Sequence, residues 1–182
     1  PRQLLRIQEP FAPEPDELSS YAVRLGLAPL VAPGGSVLAR PQFGLWSLPG
    51  EGSRLIMDAG AAGPDHLLAH AHCDTLSYEL SIGTRRLVVN SGTFAYAGPE
   101  RAVFRSTAAH NTVQVDGEEQ HEVWADFRVA RRGYPFDVRW AGGSPYLSAA
   151  HTGYMRLPGR PLHRRTASFS AGFWNISDEV EC

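Results

Sequence analysis

Three histidines and an aspartate stand at spacings that can converge on one point. His70-Ala71-His72-Cys73-Asp74 puts ligand-type side chains at i, i+2 and i+4. In an extended segment such residues share a face, with Cys73 turned the other way as a small buried residue. A second group, His110-Asn111-Thr112, opens an apolar alternation through Val113 and Val115. Neutral imidazole is the commonest transition-metal ligand, and two of them with an oxygen donor make a sufficient ligand set. Each histidine alone reads equally well as a hydrogen-bonded polar residue at a strand edge. His72, Asp74 and His110 also satisfy the two-His-one-carboxylate pattern of non-haem iron oxygenases, a different reaction class.

Between the two groups runs Val89-Asn90-Ser91-Gly92-Thr93-Phe94-Ala95-Tyr96. Asn90 offers a side-chain carbonyl, or forms a turn with Ser91 and Gly92. Arg101, Arg105 and Thr107 follow and bring positive charge close to the histidines. A guanidinium matches a planar carboxylate, so Arg105 is a candidate handle for an acidic sugar, with a plain surface role as the alternative.

The elements that must position these residues read as strands. Phe43 to Leu48 and Arg54 to Met57 flank the turn Pro49-Gly50-Glu51-Gly52. Leu76 to Ile82 alternates apolar and polar residues, Gly83-Thr84 is a hairpin turn, and Arg85 to Val89 returns. Val113–Val115 leads into Asp116-Gly117, and Val123 to Val129 makes a further strand. Shorter candidates follow at Phe136–Trp140, Tyr146–Ala150, Thr166–Phe169 and Phe173–Ser177. About ten short strands, with no helical period after residue 35, predict an all-β fold, a two-layer antiparallel β-sandwich. Residues 1–35 differ. Asp16 to Gly26 predicts one short helix stopped by Gly26, and Pro29, Pro33, Gly34 and Gly35 make a linker. Residues 1–35 are therefore expected to be a connector, and 36–182 the sandwich.

Composition narrows the function. Hydrophobic residues make up 43% of the 182, enough to bury a core. Lys+Arg 17 against Asp+Glu 19 gives a formal charge of −2, which removes the electrostatic footprint of a nucleic-acid binder. No apolar run reaches the roughly 20 residues that span a bilayer. Two cysteines, Cys73 and Cys182, exclude a disulfide scaffold or a CxxC zinc site. The start at Pro1-Arg2-Gln3 and the stop at Glu181-Cys182 are expected to mark a piece of a longer protein, truncated within its last domain. Trp124 offers a ring for packing or for stacking on a sugar. His66, His121, His151 and His163 have no partner nameable from sequence.

The runs Ala69 to Leu80, Val89 to Thr93 and Arg105 to Gly117 resemble, in order and spacing, the C-terminal β-domain of heparinase II/III-like polysaccharide lyases. The later stretches Leu162 to Arg165 and Asn175 to Val180 are similar to the same domain. The resemblance implies an N-terminal α/α-toroid joined to a β-sandwich, with the active site in the cleft between them. It implies cleavage of an acidic, uronic-acid-containing polysaccharide by β-elimination. His70 would face the substrate in a catalytic or charge-neutralising role, and Tyr96 falls where alginate-type relatives place a substrate-facing tyrosine. His72 and His110 would bind zinc together with the residue at Asn90, where metal-binding relatives carry an acid. Asp74 is the alternative carboxylate. The zinc would be structural, pinning the strands that carry His72 and His110. Without the toroid, the fragment is expected to be inactive. The family implies a periplasmic or extracellular setting in bacteria. The contrasting expectation is a non-catalytic, carbohydrate-binding or structural sandwich of an inactive or exopolysaccharide-producing relative.

Overall fold

The period-two patterning becomes two antiparallel meanders in the computed structural model, which describes residues 15–26 and 36–182. The chain divides into two compact units between Gly34 and Gly35. In the first, helix α1 (Pro15–Arg24) begins on a proline and is followed by Gly26 in the left-handed region at φ 73, which stops it. The rest of the expected connector lies outside the described residues.

In the second unit, five consecutive strands form one sheet: β1 (Leu38–Arg40), β2 (Leu45–Gly50), β3 (Ser53–Asp58), β4 (Tyr78–Ile82) and β5 (Arg85–Val88). A two-stranded ribbon follows, β6 (Val123–Trp124) with β7 (Arg128–Val129). The second sheet contains β8 (Pro135–Ala141), β9 (Ser144–His151), β10 (Leu162–Ser170) and β11 (Phe173–Glu181), again in sequence order across the sheet. Trp46 and Leu48 of β2 and Leu55 and Met57 of β3 point inward, alternating with residues that do not. They meet Leu147 and Ala149 of β9, Ala167 of β10 and Leu76 from the segment before β4. Full burial of each Leu-sized side chain contributes about 1.5–3 kcal/mol. Trp46 against Trp140 at 5.8 Å, and Trp174 Nε1 donating to Ser53 Oγ at 2.9 Å, tie the two layers together. The predicted sandwich is therefore the observed architecture.

Several elements depart from expectation for identifiable reasons. Pro49, expected in a turn, lies inside β2. Neighbouring β1 reaches only as far as Ser47, so the missing N–H of Pro49 costs no ladder bond on that side. Val113–Val115 is not a strand. Asp116 (φ 52) and Gly117 (φ 73) turn the chain into a single bridge between Val115 and Glu118, and the Val113 carbonyl accepts from Tyr154 Oη at 2.6 Å. Val123 to Val129 breaks at Ala125 (φ 48) and folds back on itself as β6 and β7. Helix α2 (Pro99–Phe104) is too short to show a period, although Pro99 after Gly98 (φ 87) is a start signal. Strand β10 begins four residues before Thr166 because its inward positions are His163, Arg165 and Ala167. Polar residues occupying core positions erase the apolar alternation.

Those polar core residues are satisfied in one direction. The Gly153 N–H donates to His151 Nδ1 at 3.0 Å, His151 Nε2 donates to His163 Nδ1 at 2.9 Å, and His163 Nε2 donates to Asp178 Oδ1 at 2.7 Å. His121 Nδ1 accepts from the Gly133 N–H at 3.0 Å. Burial pushes His151 down to about 3, assisted by His163, and His121 down to about 4, assisted by Arg156. The unfolded chain therefore takes up protons below pH 6.5 that the folded chain refuses. Stability present above pH 6.5 should be lost as the pH falls toward 3. Urea unfolding between pH 7.5 and 5 should show this. His151→Phe should flatten the acid-side slope by about one proton, or ~1.4 kcal/mol per pH unit; an unchanged slope would count against the assignment.

Candidate functional site

The site is built on the loops that leave the five-stranded sheet. His70, His72 and Asp74 lie on the segment between β3 and β4. Burial there alternates: Ala71 and Cys73 are buried, His72 and Asp74 are half-buried, and His70 is exposed. This is the expected one-face arrangement, and burial raises the Cys73 thiol to about 12. The segment is anchored by the Cys73 N–H to the Arg105 carbonyl at 2.9 Å and by Leu76 N–H to the Asp58 carbonyl at 2.8 Å. His110 follows the tight turn Thr107–Ala109 and is buried. Asn111 then fixes the position of this turn by donating to the carbonyls of Tyr78 at 3.1 Å and Val89 at 2.9 Å.

His72 Nδ1 lies 3.2 Å from His110 Nε2. Ligand atoms of His72, Asp74 and His110 all fall within 4.8 Å of one another. Two nitrogens on one tetrahedral zinc at about 2.0–2.1 Å would stand at nearly that His–His spacing. His110 Nδ1 is buried with no hydrogen-bond partner. Burial and the charges of His110 and Arg101 lower His72 to about 4, keeping the imidazole neutral as a ligand requires. Burial also lowers His110, against the pull of Asp74, and raises Asp74, against the pull of His110. A half-buried carboxyl facing two neutral imidazoles is a donor set suited to a cation. Among the described residues, this His-His-Asp cluster can hold a metal ion.

Asn90 takes up the turn that is the other reading of this residue in the sequence. Its Oδ1 accepts the Gly92 N–H at 2.7 Å, so the amide makes a turn, and the carboxylate that clusters with both histidines is Asp74. His70 and Tyr96 come together: the rings meet edge to face at 5.6 Å, both exposed. Arg105 is buried, and its guanidinium donates to the carbonyls of Ala125 at 3.1 Å, Asp126 at 2.9 Å and Arg128 at 3.4 Å. It braces the β6–β7 turn and does not reach the exposed face. Trp124 is exposed, with the Arg128 guanidinium 4.7 Å from its ring.

Residues 32–182 match the family described as "Heparinase II/III-like, C-terminal". The chain belongs to the heparinase II/III-like family. Among solved structures it is similar to a heparinase III, the BT4657 gene product, with a TM-score of 0.63 and 21% identity over 88% of this chain. It is also similar to a mutant of the heparan sulfate lyase HepC from Pedobacter heparinus, with a TM-score of 0.59 and 19% identity over 88% of this chain. The chain spans 24% of the length of each of these structures, and at this identity the likeness establishes a shared fold. No curated protein sequence matches it. Among the described residues, no helix is long and apolar enough to cross a membrane.

Sequence reasoning did not single out Arg165. From β10 its guanidinium grips Asp178 with both ends, at 2.8 and 2.9 Å, and donates to the carbonyls of Leu76 at 2.6 Å and Asn111 at 2.5 Å. Leu76 follows the His70–Asp74 segment and Asn111 follows His110, so one side chain holds both halves of the cluster in register. Against burial, the hydrogen bonds from His163 and Arg165 keep the Asp178 carboxyl at about 2. No local signal marks this role, because Arg165 lies 13, 54 and 89 residues from its partners. Arg165→Met keeps the stem and removes every donor. It should cost about 3–5 kcal/mol, the usual price of breaking a buried charged network. Chemical denaturation checks this, and a loss below about 1 kcal/mol would show that the clamp is dispensable.

Proposed function

We propose that this chain is the β-domain of a polysaccharide lyase that cleaves uronic-acid-containing polysaccharide by β-elimination. The observation that carries the reading is the exposed His70–Tyr96 pair beside the His72, Asp74 and His110 cluster. In this reaction a base removes the C5 proton next to the uronate carboxylate. The C–H electron pair becomes the C4=C5 double bond, the C4–O pair leaves on oxygen, and a general acid protonates that oxygen. Imidazole and phenol are suited to both proton transfers within hydrogen-bond reach. Charge building on the carboxylate during proton removal needs donors or cations around it. We assign part of that task to an N-terminal α/α-toroid of a longer protein, so the 182 residues alone are expected to be inactive. Heparinase III and a heparan sulfate lyase among the structural relatives support an acidic polysaccharide as substrate. An extracellular polymer as substrate supports a location outside the cytoplasm, in the periplasm or beyond.

The metal in this proposal is zinc, held by His72, Asp74 and His110. Asp74 takes the role expected of Asn90, whose oxygen serves the Gly92 turn. Bound there, zinc would cross-link the segment before β4 to the turn before His110, and so fix His70 against Tyr96. It has a positioning role.

Two experiments test the proposal. The full-length protein, incubated with uronate-containing polysaccharides, should generate the ultraviolet absorbance of an unsaturated uronic acid. His70→Ala and Tyr96→Phe should each lower kcat by roughly 10²–10⁴-fold without changing the melting temperature. Binding without turnover by the intact protein would sink the lyase reading in favour of a carbohydrate-binding sandwich. In elemental analysis of chelator-free protein, zinc should be near-stoichiometric in the wild type and in Asn90→Ala but lost in Asp74→Asn. Retention of zinc by Asp74→Asn would overturn the ligand assignment.

A further inference from the structure

We propose that Arg101 competes with metal for His72 and thereby sets how tightly the cluster binds zinc; the inference rests on the metal reading above. Arg101 lies on α2 and is buried, 1% exposed. Its Nη1 stands 2.8 Å from His72 Nε2, Nη2 donates to the Ala69 carbonyl at 3.0 Å, and Nε donates to the Asp126 carbonyl at 3.3 Å. No carboxylate among the described residues pairs with it. A guanidinium keeps all its protons and has no lone pair to offer. Its contact with Nε2 is therefore a hydrogen bond only if Nε2 is bare. The neutral His72 ring then carries its proton on Nδ1 and donates it to His110 Nε2 at 3.2 Å. In this arrangement both ring nitrogens of His72 are occupied, and neither has a lone pair free for a metal.

Metal binding has to undo one of these bonds. If the metal takes Nδ1, the proton must move to Nε2, where it would face an N–H of Arg101, donor against donor. If the metal takes Nε2, it must occupy the place of the guanidinium and sit beside its charge. On either route Arg101 first releases His72. A replacement partner is already in position: Thr93 Oγ1 lies 3.3 Å from Nε2, and a hydroxyl can accept the proton that a guanidinium cannot. The ring thus has an arginine-held, metal-free state and a metal-held state in which Nε2–H turns to Thr93. The bonds from Arg101 to Ala69 and Asp126 keep the competitor close.

The test measures zinc affinity by competition with a chromophoric chelator for wild type, Arg101→Met and Arg101→Lys. Arg101→Met removes the charge and the donors, and should bind zinc at least about tenfold more tightly, as expected on losing one charge-assisted hydrogen bond. Arg101→Lys, which keeps charge and donor, should stay near the wild-type value. Equal or weaker binding by Arg101→Met overturns the competition and leaves the metal reading standing, whereas no zinc binding by any of the three overturns both. Circular dichroism and melting curves confirm that the variants fold. Should Arg101→Met fail to fold, the wild type decides the matter by ring-nitrogen NMR on ¹⁵N-histidine-labelled protein. His72 should carry its proton on Nδ1 without metal and on Nε2 with zinc; Nε2–H in the metal-free protein overturns the proposal.

Discussion

A guanidinium placed between two β-sheets must find acceptors for its donors without help from water, because each unmet donor costs about 1–3 kcal/mol. Arg165 meets that demand with Asp178 on the neighbouring strand and with two backbone carbonyls from distant loops. The loops it chooses are those that end the two halves of the candidate site. The four-stranded sheet, which contributes none of the site's ligands, thus controls the geometry of the five-stranded sheet's loops. The chain from Gly153 through His151 and His163 reaches the same Asp178, so the clamp is braced from behind as well.

Around that clamp the charge distribution is uneven. Burial keeps His72, His110, His121 and His151 neutral and raises Asp58 to about 7, with help from Asp74. Arg101 and Arg105, one turn apart on and just after α2, stay buried while bonded mostly to carbonyl oxygens. Burying charge without a partner of opposite sign is expensive, and proteins tolerate it where a fixed field has a use. Here both guanidiniums act on His72, with Arg101 Nη1 only 2.8 Å from its Nε2.

Much of this was legible in the sequence. The His70–His72–Asp74 alternation survives as an alternation of burial, because an extended segment over a sheet edge leaves little other choice. The strands built on apolar alternation, β2 to β5, lie within a few residues of that alternation, and the hairpin turn falls at Gly83-Thr84. The spaced motifs pointed to the heparinase II/III-like family, to which the chain belongs. The failures are equally specific. The start of β10 carries no apolar alternation because its inward positions are His163 and Arg165, and Val113–Val115 alternates like a strand but pairs only through one bridge, from Val115 to Glu118 across its own turn.

Periodicity, turn residues and motif order along the chain carry the two-layer β architecture, the family and the residue types available for chemistry. Tertiary structure decided which of those residues meet. It buried Arg105 against backbone carbonyls, brought Tyr96 onto His70 and set Arg101 on His72. Partners 26, 29 or 89 residues apart are brought together by sheet packing and loop closure, and a carbonyl acceptor carries no side-chain identity by which a sequence could name it.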